Sequence, residues 1–96
     1  MVARYGGEEY LLLLPDSDLQ GGHYVVDRLR ALIEKSPLRY NKDLLQIRIG
    51  GGVSAFVPGD SMEALVQRAD RALYEAKNSG RNRVVVAEPP EEVLAA

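Results

Sequence analysis

Apolar residues recur along this chain with two different periods, and those periods divide it into elements. Val25, Val26, Leu29, Leu32 and Ile33 follow helical spacing and predict an amphipathic helix that runs to about Lys35. Pro15-Asp16-Ser17-Asp18 breaks the preceding apolar run and supplies N-cap candidates, Gly21 and Gly22 weaken the first turn, and Pro37 follows the end. A second helical stripe, Met62, Leu65, Val66, Ala69, Leu73 and Ala76, predicts the strongest helix of the chain. Asp60 with Glu63 three residues on reads as a capping box at its start, and Gly80 is placed as the C′ residue.

Strand signals fill the remainder. Val2 to Tyr5 and Tyr10 to Leu14 flank Gly6-Gly7 and predict a tight β-hairpin with a two-residue type of turn that projects Glu8 and Glu9 at its tip. Leu38 to Asp43 reads as a short extended piece and turn, leading into Leu44-Leu45-Gln46-Ile47-Arg48-Ile49 as a strand. Gly50-Gly51-Gly52 either carries that strand on through Val53 to Phe56 with a bulge or leaves room for a close approach. Asn82 to Ala87 is the last strand, and residues 88–96, with Pro89-Pro90 and three glutamates, are tail-like. The order is β-β-α-β-α-β, an α+β layer of helices on an antiparallel-rich sheet.

With 96 residues the chain is one domain at most, and without cysteine nothing but packing holds it, consistent with a reducing compartment. A 46% hydrophobic content supports a folded core. The net charge of −2 argues against broad binding to nucleic acid or anionic membrane, so any anionic ligand must be met locally. No stretch approaches a bilayer span and no secretory signal leads the chain, which reads as soluble and cytoplasmic, with a membrane anchor left open elsewhere in a longer parent.

Candidate chemistry is concentrated at the hairpin. Two adjacent carboxylates, Glu8 and Glu9, beside glycines that place no side chain in the way, suit a hard divalent cation bound to phosphate oxygens. On the residues alone a solvated charged turn is the favoured explanation. His23, the sole histidine, has no nearby cysteine or histidine to complete a metal site and reads as helix-entry packing. The five tyrosines have no basic stripe beside them and read as packing residues.

A family becomes visible in two runs. Ala3-Arg4-Tyr5-Gly6-Gly7-Glu8-Glu9-Tyr10 resembles the signature of the GGDEF domain of diguanylate cyclases, in a variant with Glu third and Tyr for Phe. Arg68-Ala69-Asp70-Arg71-Ala72-Leu73-Tyr74-Glu75-Ala76-Lys77-Asn78-Ser79-Gly80-Arg81-Asn82 is similar to the terminal-helix motif of the same family. The resemblance covers residues 2 to about 87 and only the second part of the family's domain. It implies the ferredoxin-like, nucleotidyl-cyclase-like GGDEF fold, truncated, with residues 1–87 as its C-terminal portion.

The activity that this resemblance implies is formation of cyclic di-GMP from two GTP in bacterial signalling, a phosphoryl transfer that rests on positioning and on two metals per site, Mg²⁺ or Mn²⁺. It also implies roles by motif position: Glu8 as a metal ligand, Glu9 as the adjacent acid at metal and hydroxyl, and Gly6 and Gly7 as the place where backbone approaches the nucleotide. Lys77 and Arg81, four apart across the helix end, match the family's cations that grip the triphosphate, although either alone would also complement the helix dipole. Asp70 is assigned a structural pairing. Arg28 matches a secondary contact to inhibitory cyclic di-GMP in some relatives, where a plain surface arginine is the alternative.

The implied partners are GTP, cyclic di-GMP, a second copy of the parent domain and an upstream sensory domain, with no nucleic acid. The family's metal-binding aspartate, guanine-reading residues and RxxD inhibitory site fall outside the resemblance, which predicts that the fragment alone lacks turnover. Gly50 and Gly51 stand where the family has a serine and a β-branched residue, which predicts a more pliable strand. The competing reading is a degenerate, non-catalytic GGDEF module that acts as a nucleotide receptor or interaction domain.

Overall fold

The computed structural model describes residues 2–6 and 9–89, apart from the side chain of Tyr40. Eight elements run in the order β1 (Val2–Arg4), β2 (Tyr10–Leu12), α1 (Leu19–Glu34), β3 (Leu38–Tyr40), β4 (Asp43–Leu45), β5 (Gly51–Val53), α2 (Met62–Asn78) and β6 (Val84–Val86). This is the expected α+β plan with two more strands than the sequence pattern predicts. The tail beyond Pro89 lies outside the described residues, and so does the expectation made for it.

At the centre β5 and β6 pair in parallel, Gly51 opposite Val84 and Val53 opposite Val86. Hydrogen bonds from Gly51 N to Arg83 O (3.0 Å) and from Ala87 N to Val53 O (2.8 Å) extend the ladder. Parallel strands need a crossover, and α2 supplies it. Pairing is antiparallel-rich as expected, in the two hairpins, but the described strands form three two-stranded sheets rather than one, and the pair that builds the core is parallel.

The two helices cover opposite faces of this pair, because side-chain directions alternate along a strand. A Cβ on Gly51 would lie 2.6 Å from Val26 Cγ1 of α1, and the buried Val53 faces Gly22 of the same helix. A Cβ on the intervening Gly52 would lie 2.2 Å from Ala69 O and 2.3 Å from Leu73 N of α2. Glycine at 52 therefore sets how closely strand and helix approach. The core is correspondingly made of small residues: Val53, Ala72 and Ala76 are its buried apolar members.

Helix ends follow local chemistry. Asp18 caps α1, its Oδ1 accepting from Gly21 N at 2.7 Å. For α2 the capping-box expectation is corrected: Ser61 is the N-cap, its Oγ accepting from Ala64 N at 3.0 Å. Asp60 is drawn away by Arg68. Gly80, at φ +120°, ends the helix as expected, with Arg81 N donating to Ala76 O at 3.0 Å as in a Schellman motif.

Leu44 to Ile49 does not form one strand. Asp43–Leu45 pairs antiparallel with Leu38–Tyr40, and pairing resumes only at Gly51. Met62, assigned to the core face by its spacing, is 60% exposed, whereas Ala72 is buried. No helix among the described residues is long and apolar enough to cross a membrane.

Candidate functional site

The first hairpin pairs Val2 with Leu12 and Arg4 with Tyr10, leaving residues 5–9 as the connection. The described pairing closes at Arg4 and Tyr10; the two-residue turn expected at Gly6-Gly7 falls partly outside the described residues. The ends of the connection are pinned by Tyr5 N and Gly6 N, which both donate to Glu9 O, at 2.9 and 3.3 Å. Among the candidate residues of this loop, Gly7 and Glu8 lie outside the described residues. Gly6 and Glu9 are described, and they touch: a Cβ on Gly6 would lie 3.4 Å from Glu9 Oε2. A larger side chain at 6 would crowd that carboxylate. Gly6 is not in the left-handed region, so its role here is the missing side chain rather than backbone freedom.

Sixty-eight residues later in the chain, Lys77 in the last turn of α2 places Nζ 3.1 Å from Glu9 Oε1. Both side chains are about a third or more exposed, so the pair contributes roughly 0.2–1 kcal/mol to stability. Its main consequence is positional. Among the described elements the strands of this hairpin pack against no helix, and the ion pair ties the loop to the helix end.

A partly exposed carboxylate with an ammonium beside it is a balanced pair of ligand sites. A hard cation takes the carboxylate oxygens and a phosphate takes the ammonium, so a metal-bound polyphosphate satisfies both where either ion alone would leave one unpaired. The oxygen donors of Glu9 fit Mg²⁺, which keeps most of its shell as water and substrate oxygens. Among the described residues there is no cluster of three acidic or imidazole groups.

Arg81 does not continue the helix beside Lys77. Both it and Asn82 adopt left-handed backbone, at φ +59° and +46°. Such a conformation costs about 1–2 kcal/mol per non-glycine residue. The Arg81 side chain is exposed. Asn82 is gripped by α1: its Oδ1 accepts from Arg30 Nη1 at 3.2 Å, and its Nδ2 donates to Glu34 Oε2. Arg30 also donates from Nε to Asp27 Oδ1 at 2.8 Å, a bond that lowers the Asp27 pKa and raises that of Arg30. Arg28 points elsewhere, with Nη1 donating to Tyr24 Oη at 3.0 Å and its guanidinium 5.6 Å from the Tyr24 ring centre.

The structural pairing assigned to Asp70 falls instead on Arg68. Asp70 is exposed, without a hydrogen bond or ion pair among the described residues. Arg68 makes a two-pronged pair with Asp60, Nη1 to Oδ1 at 2.7 Å and Nη2 to Oδ2 at 2.6 Å, and donates to Ala55 O at 2.8 Å. Those bonds, with Val57 N donating to Oδ2 at 2.9 Å, hold the Asp60 carboxyl at about 2, against an ordinary value of 3.8. This clamp closes the loop between β5 and α2. An eight-residue separation gives it no periodic signal, although Arg68 itself stands within the terminal-helix motif.

The family described as diguanylate cyclase, GGDEF domain, matches residues 1–83. Diguanylate cyclase DgcP of Pseudomonas aeruginosa is 43% identical over 86 residues, which cover 90% of this chain and 13% of that protein. The crystal structure of the GGDEF domain of DgcB from Caulobacter crescentus, in complex with c-di-GMP, superposes with a TM-score of 0.87 at 35% identity, covering 92% of this chain and 52% of that one. The active GGEEF domain of a diguanylate cyclase from Vibrio cholerae superposes with a TM-score of 0.83 at 28% identity, covering 93% and 56%. The chain thus spans about half of each of these two solved chains.

Proposed function

The chain belongs to the diguanylate cyclase GGDEF domain family, and from that premise we propose that it supplies the metal and triphosphate side of a site that makes cyclic di-GMP from two GTP in the intact protein. The observation that carries this reading is the meeting of Glu9 with Lys77, which joins the two signature motifs across 68 residues at 3.1 Å. A GGEE sequence is no obstacle to activity, since the Vibrio cholerae relative with that variant is described as active.

In this reading Glu9, with Glu8 beside it in the sequence, would hold Mg²⁺ or Mn²⁺, two ions per site. When bound, the metal would lower the pKa of the attacking 3′-hydroxyl and offset charge on the phosphates. Each 3′-hydroxyl gives up its proton to water as its oxygen forms a bond to the α-phosphorus of the other GTP, the bond from that phosphorus to the bridging oxygen of the β-phosphate breaks, and pyrophosphate leaves with that electron pair. Lys77 exchanges Glu9 for phosphate oxygens, Arg81 adds its planar fork, and Gly6 keeps side-chain bulk away from the carboxylate. Because the two substrates are identical, the working unit is a homodimer that presents two equivalent half-sites. Arg28, already engaged with Tyr24, is the candidate for a secondary contact to the product.

Cyclic di-GMP formation from GTP by the intact protein, wild type against Glu9→Gln, tests this. Removing the charge while keeping the shape is expected to abolish product. Equal product from both would overturn the role of Glu9, and none from either would favour a non-catalytic module.

A further inference from the structure

The left-handed pair Arg81 and Asn82 is held in place by a helix from outside the terminal-helix motif. Arg30 and Glu34 of α1 grip the Asn82 side chain from both sides, one donating and one accepting, so the amide is fixed in orientation as well as position. Arg30 is itself oriented by Asp27 at 2.8 Å and lies with Glu34 at 3.8 Å, and only 18% of its side chain is exposed. One residue away, Arg81 N donates to Ala76 O at 3.0 Å. Asparagine tolerates left-handed backbone, but an arginine at φ +59°, as at Arg81, persists there only when the surroundings enforce it.

We infer that Arg30 and Glu34 are positioning residues, which lock Asn82 and thereby hold Arg81 in the one backbone geometry that presents its guanidinium to the triphosphate. The inference rests on the reading of Arg81 as a phosphate cation. Its chemical sense is preorganisation: an exposed arginine loses several rotors on gripping a phosphate, and a fixed backbone reduces what must be ordered on binding. Helix α1 then contributes to nucleotide affinity without touching nucleotide.

The test uses Arg30→Met, which keeps the apolar stem and deletes the donors, in the intact protein with Mg²⁺ and GTP as the probe. Two quantities are read: hydrogen exchange of the Arg81 amide without nucleotide, and the Kd for GTP. Arg30→Met is expected to speed the exchange about tenfold and to weaken GTP about fivefold. Asn82→Gly keeps a left-handed backbone accessible and removes the gripped amide; adding Arg30→Met to it is expected to weaken GTP by less than about twofold more, as residues of one unit are not additive. Wild-type exchange and affinity in Arg30→Met would overturn the inference, as would full additivity. Arg81→Ala separates the premises. If it leaves GTP affinity unchanged, the phosphate role of Arg81 falls and this inference with it. If it weakens GTP while Arg30→Met does not, only the clamp falls.

Discussion

Replacing Gly52 by alanine probes the tightest packing found at any described glycine. The added methyl would sit 2.2 Å from Ala69 O, 2.3 Å from Leu73 N and 2.9 Å from Leu73 Cα, all backbone atoms of α2. Ordinary contact needs roughly 3.5 Å. No rotamer change relieves a clash with backbone, so β5 must withdraw from α2 by about 1 Å, thinning the packing around Ala72 and Ala76. Overpacking of this kind costs about 3 kcal/mol, offset by roughly 0.5–1 kcal/mol because alanine loses less backbone entropy than glycine. The net loss of about 2 kcal/mol corresponds to a fall in Tm of roughly 8–16 °C for a domain of this size. Thermal unfolding of the chain followed by far-UV circular dichroism measures it. Gly6→Ala is the control, since the nearest described atoms to its methyl belong to the flexible Glu9 side chain, at 3.4 Å and beyond. A Tm for Gly52→Ala within about 2 °C of wild type would refute the packing argument.

The ion pair of Asp60 with Arg68 gives a pH signature. A carboxyl held at about 2 against 3.8 contributes stability that is complete above pH 4 and is lost as pH falls through 2. Urea midpoints at pH 4 and pH 2 should therefore drop less for Asp60→Asn than for wild type, and equal drops would contradict the assignment. Ser61→Ala removes the α2 cap and should cost about 1 kcal/mol in urea unfolding, whereas Glu63→Ala, the partner expected from a capping box, should cost less. Lys77→Met should change stability by less than about 1 kcal/mol, because its pair with Glu9 is half exposed. A larger loss would show that the pair holds the fold together rather than serving the ligand.

The helices were legible in the sequence because their signals are local. Asp18 and Pro37 bracket α1, Gly80 stops α2, and the apolar spacing between them needs no distant partner. The strands were not, since strand formation depends on what lies alongside. Leu44 to Ile49 has the better strand composition, yet pairing falls on Gly51–Val53, where glycine permits α2 to approach. The candidate site was legible in its motifs: the sequence named Glu9 and Lys77 as candidates, and the fold brings them to 3.1 Å. What it concealed were the supports. Arg30 and Asn82 are 52 residues apart and Asp60 and Arg68 eight, with no repeat or spacing to link either pair.

GTP binding to the intact protein as a function of Mg²⁺ tests the metal and triphosphate site most directly, by calorimetry on wild type, Glu9→Gln and Lys77→Met. Wild type is expected to bind GTP tightly only with Mg²⁺, since without it the Glu9 carboxylate both repels phosphate and occupies Lys77. Glu9→Gln should flatten the Mg²⁺ dependence, and Lys77→Met should weaken binding about tenfold at saturating metal. GTP affinity that is independent of Mg²⁺ and unchanged in both variants would contradict the assignment of this hairpin and helix end to metal and triphosphate.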